Sequence, residues 1–94
     1  MLELLKKILG FNNTEFDDVL NSHISACIKD LEQLGIAPSF LYVEDVVTIT
    51  DDLIKMAVVT YVKSKVYDDE KLSKAYDLQR DELRKRTYYQ VENV

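Results

Sequence analysis

His23 and Cys27 stand four residues apart, one helical turn, which is the spacing of a thiolate-imidazole pair or of two ligands to a shared metal. Both fall on the apolar stripe of their segment, and the chain has no other His or Cys to complete the roughly three or four ligands of a zinc site. The pair therefore reads as core, in line with the burial preference of free cysteine. Three acidic pairs, Asp17-Asp18, Asp51-Asp52 and Asp68-Asp69, have the composition of paired carboxylates for general acid-base work. Two of them open predicted helices and the third lies at a helix junction, where capping and the helix dipole account for them. Neither a Gly-rich phosphate loop nor a nucleophile elbow occurs. These observations predict a protein that is not an enzyme and takes no cofactor or metal.

The remaining chemistry lies in the last fifteen residues. Arg80, Arg84, Lys85 and Arg86 form the one basic cluster, and Tyr88 and Tyr89 follow it. Basic residues beside aromatic ones suggest stacking on nucleic acid. Asp81 and Glu82 interrupt the cluster, however, and positive charge in a last helical turn is what the macrodipole favours. The chain also carries a net charge of -5 with a pI near 4.7, which argues against a tight grip on phosphates. Tyr and Arg dominate interface hot spots, so Arg80, Arg84, Arg86, Tyr88, Tyr89 and Val91 are expected to bind a protein partner.

Ninety-four residues allow a single small domain. An apolar share of 47% and a charged share of 31% fit a packed core under a solvated surface, while 2 Gly and 1 Pro are too few for the turns of an all-β fold. The lone Cys27 cannot close an internal disulfide. No apolar run approaches the about 20 residues of a membrane span, and Met1 to Gly10 is too short and too charged for a signal peptide, so a cytosolic protein is expected. Charge is uneven along the chain: residues 1 to 47 hold 3 Lys and 8 acids, whereas residues 48 to 94 balance 9 basic against 9 acidic residues.

Leu2, Leu5, Ile8 and Leu9 recur at helical spacing before Gly10, which predicts a short first helix. Asn12, Asn13 and Thr14 offer N-cap oxygens for a second, whose stripe is Phe16, Val19, Leu20, His23, Ile24, Cys27, Ile28, Leu31 and Leu34, ending at Gly35. Residues 36 to 50 lack a helical period and, with Pro38, Val46, Val47 and Ile49, read as a loop holding a short strand that could pair between subunits. Asp51 and Asp52 open a third helix with Leu53, Ile54, Ala57, Val58, Tyr61, Val62 and Val66 on its stripe. Met56, Val59 and Tyr67 fall on its other side, so apolar residues nearly encircle it, as for a helix that touches a second subunit. The expected subunit interface is Val46, Val47, Ile49, Met56, Val59 and Tyr67. A fourth helix runs from about Glu70 to Arg86 on the stripe Leu72, Ala75, Tyr76 and Leu83, with Glu70-Lys74, Asp81-Lys85 and Glu82-Arg86 as supporting pairs. The expected fold is all-α: a small bundle of about four helices, an extended segment between helices two and three, and a flexible C-terminal tail. Residues 1-86 form the domain and 87-94 the tail.

The stretch DDLIKMAVVTYVKSKVYDDEKLSKAYDLQRDEL resembles the second half of the small helical head-tail connector proteins of tailed bacteriophages, also called adaptor or head-completion proteins. The preceding residues are similar in plan, so the resemblance runs to about residue 86. Its implications are a structural adaptor of the virion that docks on the portal protein, sits in a ring of roughly a dozen copies, joins head to tail and lines part of the DNA conduit. A tail-side completion protein would be its further partner, and genomic DNA would pass through without specific binding. The implied location is the head-tail junction of the virion, after a stay in the host cytoplasm, with no membrane involved. The alternative is a small helical regulator or antitoxin-like protein that binds DNA or a protein through its C-terminal region. On the tail reading, deleting residues 87 to 94 removes none of the apolar stripes and leaves the melting temperature little changed.

Overall fold

The computed structural model describes residues 1–91. Four helices appear in the expected order: α1 (Leu2–Leu9), α2 (Asp17–Leu34), α3 (Asp52–Val66) and α4 (Glu70–Lys85). Gly10 and Gly35 end α1 and α2 at φ of 76° and 103°, the left-handed conformation in which a side chain is strained. At Gly35 an added Cβ would also lie 2.7 Å from Gln90 Oε1. Asp51 caps α3 by accepting from the Leu53 and Ile54 amides, and Asp69 caps α4 by accepting from Lys71 and Leu72. The start of α2 differs from expectation. Asn13 turns its side chain onto the Glu15 amide at 3.0 Å, a local turn that competes with helix capping, and the helix begins at Asp17 without a side-chain cap.

The core lies where α2, α3 and α4 meet. Leu20, Ile24, Cys27, Ile28 and Leu31 of α2 are buried with Ile54, Ala57, Val58 and Val62 of α3, joined by Tyr76 and Leu83 of α4 and by Leu5 of α1. Phe16 and Val19 were expected on the α2 stripe but are 44% and 49% exposed. They precede or open the helix, ahead of its first buried turn, and Phe16 instead stacks on Phe11 at 5.1 Å. A Lys6-Asp17 ion pair at 3.0 Å ties α1 to the beginning of α2. The three expected pairs on α4 are all formed, Glu70-Lys74 at 3.6 Å, Asp81-Lys85 at 2.9 Å and Glu82-Arg86 at 3.1 Å.

The segment between α2 and α3 is more ordered than a loop. Pro38–Phe40 form a single 3-10 turn, and Tyr42–Val43 (β1) pairs antiparallel with Val46–Val47 (β2), Tyr42 opposite Val47 and Val43 opposite Val46. Leu41 and Ile49 anchor this hairpin by burial in the core. Ile49 is therefore filled from within its own chain and leaves the set of expected subunit contacts. Tyr42 donates its hydroxyl to Glu32, fastening the hairpin to α2.

The boundary expected at residue 86 does not coincide with the end of packing. Thr87–Tyr89 form a second 3-10 turn, and Tyr89 is buried at 4% exposure. Its hydroxyl donates to Asp51 at 2.9 to 3.0 Å. Beyond it the backbone pairs with the loop after α2: Ala37 N donates to Tyr89 O at 2.8 Å and Val91 N to Gly35 O at 2.9 Å. Gln90 donates its amide to the Leu83 and Arg84 carbonyls, closing the exposed end of α4. Phe40, Tyr88 and Tyr89 form an aromatic cluster with centroids 5.1 to 5.2 Å apart. The tail expected at 87 to 94 is thus a strap over residues 87 to 91; residues 92–94 of that expectation lie outside the described residues.

Removing the strap takes a buried aromatic and its hydrogen bonds with it, so truncation after Arg86 is now expected to lower the melting temperature clearly. Tyr89→Phe isolates the polar part and should cost about 1.5 to 3 kcal/mol, the value of a hydrogen bond to a charged group. Burial, and then the bond to Asp51, push the Tyr89 hydroxyl from 10.0 up to about 12. A pKa raised on folding gives stability that is complete below pH 10 and lost as pH rises through about 12. Urea unfolding should therefore show the gap between wild type and Tyr89→Phe closing over that window.

Candidate functional site

The residues that could do chemistry are consumed by structure. Cys27 is fully buried, and its thiol lies 3.7 Å from the Tyr76 hydroxyl. Burial pushes that thiol up to about 12, opposite to what a nucleophile or ligand requires. Of the acidic pairs, Asp17 is held by Lys6 while Asp51 and Asp69 cap helices. Among the described residues no group of three or more His, Cys, Asp or Glu is arranged to hold a metal ion. No helix among them is long and apolar enough to cross a membrane.

The expected partner-binding residues divide into two sets. Arg80 faces inward, its Nε donating to Asp30 Oδ2 at 2.8 Å, and Tyr76 donates to the same oxygen at 2.7 Å. This joins α4 to α2 beneath the edge-on Tyr61-Tyr76 pair, whose centroids are 5.0 Å apart. Burial alone would raise the Asp30 pKa, but the bonds from Arg80 and Tyr76 and the Arg80 charge outweigh it and hold the carboxyl below its ordinary value. Tyr89 is likewise internal. Arg84 and Arg86 are exposed, paired with Asp81 and Glu82 on their own helix. Tyr88 at 72% exposure, one side of its ring against Phe40 and Tyr89, and Val91 at 51% lie beside them. A basic patch in which Arg84 and Lys85 share Asp81, Arg86 pairs with Glu82 and Arg80 pairs with Asp30 of α2 offers little net positive field to nucleic acid.

A second surface is apolar. Met56 of α3 is 58% exposed and stands where two adjoining grooves meet. The first, between α3 and α4, is lined by Leu53, Leu78, Gln79, Glu82 and Leu83. The second, between α1, α3 and α4, has Leu4, Ile8, Val59 and Leu72 on its floor and Lys55 and Lys63 at its rim. The expected interface residues Met56 and Val59 thus share one face. Val46 and Tyr67, also exposed, line neither groove. Val47 is half-buried under the hairpin. Leu78, at 74% the most exposed large apolar residue among the described residues, lies outside the expected interface set. Its signal was present: it is the apolar residue of α4 that falls off the Leu72-Ala75-Tyr76-Leu83 stripe.

A family model described as phage connector protein matches residues 1–93. No curated protein and no solved structure gives a match.

Two measurements check the division of residues. Arg80→Gln should lower unfolding free energy by about 1 kcal/mol near neutral pH, a figure discounted for the partial exposure of the pair. A carboxyl depressed on folding contributes stability that is present above its ordinary pKa of 3.8 and lost as the pH falls through its folded value, so this difference should vanish on acidification. Cys27, in turn, should react with a thiol reagent only at the rate of unfolding; rapid labelling of the native protein would place it outside the core.

Proposed function

Because the chain belongs to the phage connector protein family, we propose that it works as a structural adaptor of the virion, docking on the portal vertex as a ring of roughly a dozen copies and joining head to tail. The observation that carries this reading is the family match across residues 1–93. The structure supports it with a core that is complete within one chain and a surplus of apolar side chains outside it, Met56, Leu78 and Val46 above all. Surplus apolar surface on a small domain marks sites of protein contact. On this reading the role is non-catalytic, and the chain passes from host cytoplasm to the head-tail junction.

The portal contact falls to the exposed remnant of the C-terminal set, Arg84, Arg86, Tyr88 and Val91. Arg80 and Tyr89 act behind them as positioning residues. A tail-side completion protein is the partner on the opposite face. The net charge of -5 suits a conduit along which genomic DNA passes without being held, since weak repulsion acts only within the Debye length, about 8 Å at physiological ionic strength. Each copy offers only small apolar patches outside its core, so the free protein is expected to associate weakly and to close its ring on the portal.

The test is a paired substitution. Tyr88→Ala with Val91→Ser removes two exposed side chains, but Tyr88 also packs on Phe40 and Tyr89, so the circular dichroism spectrum should stay near wild type while the melting temperature falls modestly, by the loss of about 1 kcal/mol of aromatic contact. Binding to portal-bearing, DNA-filled capsids should fall at least tenfold. Undiminished binding would remove the C-terminal surface from the portal contact.

A further inference from the structure

The turn that closes the β1-β2 hairpin is built from Glu44 and Asp45, with positive φ at both residues, 50° and 65°. Two-residue hairpin turns with two positive φ values favour Asn or Asp followed by Gly. Glu in the first position is sterically costly, and local strain of this kind is retained where the side chain serves a purpose. Both acids are exposed, and among the described residues neither has a basic partner within 4.0 Å. They are flanked by Val43 and Val46, which are 56% and 65% exposed. Val43 and Val46 are cross-strand partners, so their side chains lie together on one face of the hairpin. The result is a projecting tip with two valines and two uncompensated negative charges.

The groove between α1, α3 and α4 has the complementary make-up. Its lining is largely apolar, from Leu4, Ile8, Met56, Val59 and Leu72 with Thr60 among them, and its volume of about 340 Å³ has room for a pair of valine side chains. Lys55 and Lys63 stand on its rim, and among the described residues neither has an acidic partner within 4.0 Å. No residue of the 36 to 50 segment lines this groove, so the chain does not fill it with its own hairpin. We propose that the Val43-Glu44-Asp45-Val46 tip of one copy seats in the α1-α3-α4 groove of the next, with Glu44 and Asp45 set against Lys55 and Lys63.

Tip and groove are different surfaces of the same chain, so the contact is head-to-tail and repeats around a ring when its rotation closes. The inference rests on the ring reading above and deepens it by naming the two halves of the contact. Its small area and charged rim make it weak between free copies and sensitive to salt.

Zero-length carbodiimide coupling of carboxylates to lysines tests it directly. An equal mixture of unlabelled and ¹⁵N-labelled protein, concentrated to hundreds of micromolar at low salt, should yield mixed-isotope peptides joining Glu44 or Asp45 to Lys55 or Lys63. Reversing the tip alone, Glu44→Lys with Asp45→Lys, should reduce self-association in sedimentation at least tenfold. Reversing the rim as well, Lys55→Glu with Lys63→Glu, should restore it. Absence of intermolecular acid-lysine peptides, peptides joining other sites only, or failure of the fourfold reversal to restore association would each overturn the inference. If the tip-reversed chain still completes heads that accept tails, the adaptor reading stands while this contact falls; if wild-type protein yields the expected peptides but does not engage portal-bearing capsids, the reverse holds.

Discussion

One carboxylate, Asp51, joins the junction between the hairpin segment and α3 to a strap 38 residues further along the chain. Its Oδ1 accepts the Leu53 and Ile54 amides that would otherwise be orphaned at the start of α3, and the same group receives the Tyr89 hydroxyl. The helix start, the exit of the hairpin segment and the C-terminal strap are thereby held at one point. Charge-assisted bonds of this kind are stronger than neutral ones, and here the acceptor is already fixed by its capping role, so seating Tyr89 orders little that is not ordered already. The backbone pairing of the strap with Gly35 and Ala37 then follows from the same placement, as does the reach of Gln90 to the end of α4.

The second tie has the same logic on the other side of the bundle. Asp30 on α2 accepts from Tyr76 and Arg80, both on α4, and the thiol of Cys27 completes the cluster from beneath. A charge pair removed from water gains only when its remaining hydrogen-bonding capacity is filled. Against burial, Arg80 supplies the bond and the charge that do most to hold the Asp30 carboxyl below its ordinary value, and Tyr76 adds a second donor. Among the described residues, α2 and α4 thus meet through a specific polar contact as well as through apolar packing, which fixes one rotation of α4 about its axis.

Features that depend on neighbours in the chain were legible in the sequence. The caps at Asp51 and Asp69, the stops at Gly10 and Gly35, the three ion pairs of α4 and the burial of Cys27 all follow from short spacings. Features that join distant residues were not. Tyr89 and Asp51 are 38 apart, and Tyr76 and Asp30 are 46 apart, and no periodicity links them. The strap reads as free from sequence because Tyr88 and Tyr89 lie outside any helical repeat, yet the 3-10 turn points adjacent tyrosines about 120° apart, so that Tyr89 is buried while Tyr88, still against its ring, is exposed. The hairpin was visible only as β-branched composition, since strands of two residues are too short to show alternation. Periodicity tells which residues share a face; it does not tell which faces the rest of the chain will cover. Phe16, Val19 and Leu78 are the residues on which that distinction turned.

The strap also changes how a partner would meet this protein. A disordered tail loses conformational entropy at the moment of binding, and that cost is subtracted from its affinity. Tyr88 is instead carried on a turn clamped on both sides, by Tyr89 to Asp51 and by Gln90 to the carbonyls of α4, with Phe40 packed 5.2 Å from its ring. The exposed ring is preorganised, and most of the ordering has been done in folding. The same holds at Met56, which projects from the helix that Asp51 caps. Both exposed surfaces are therefore displayed by elements that one carboxylate, Asp51, holds in place.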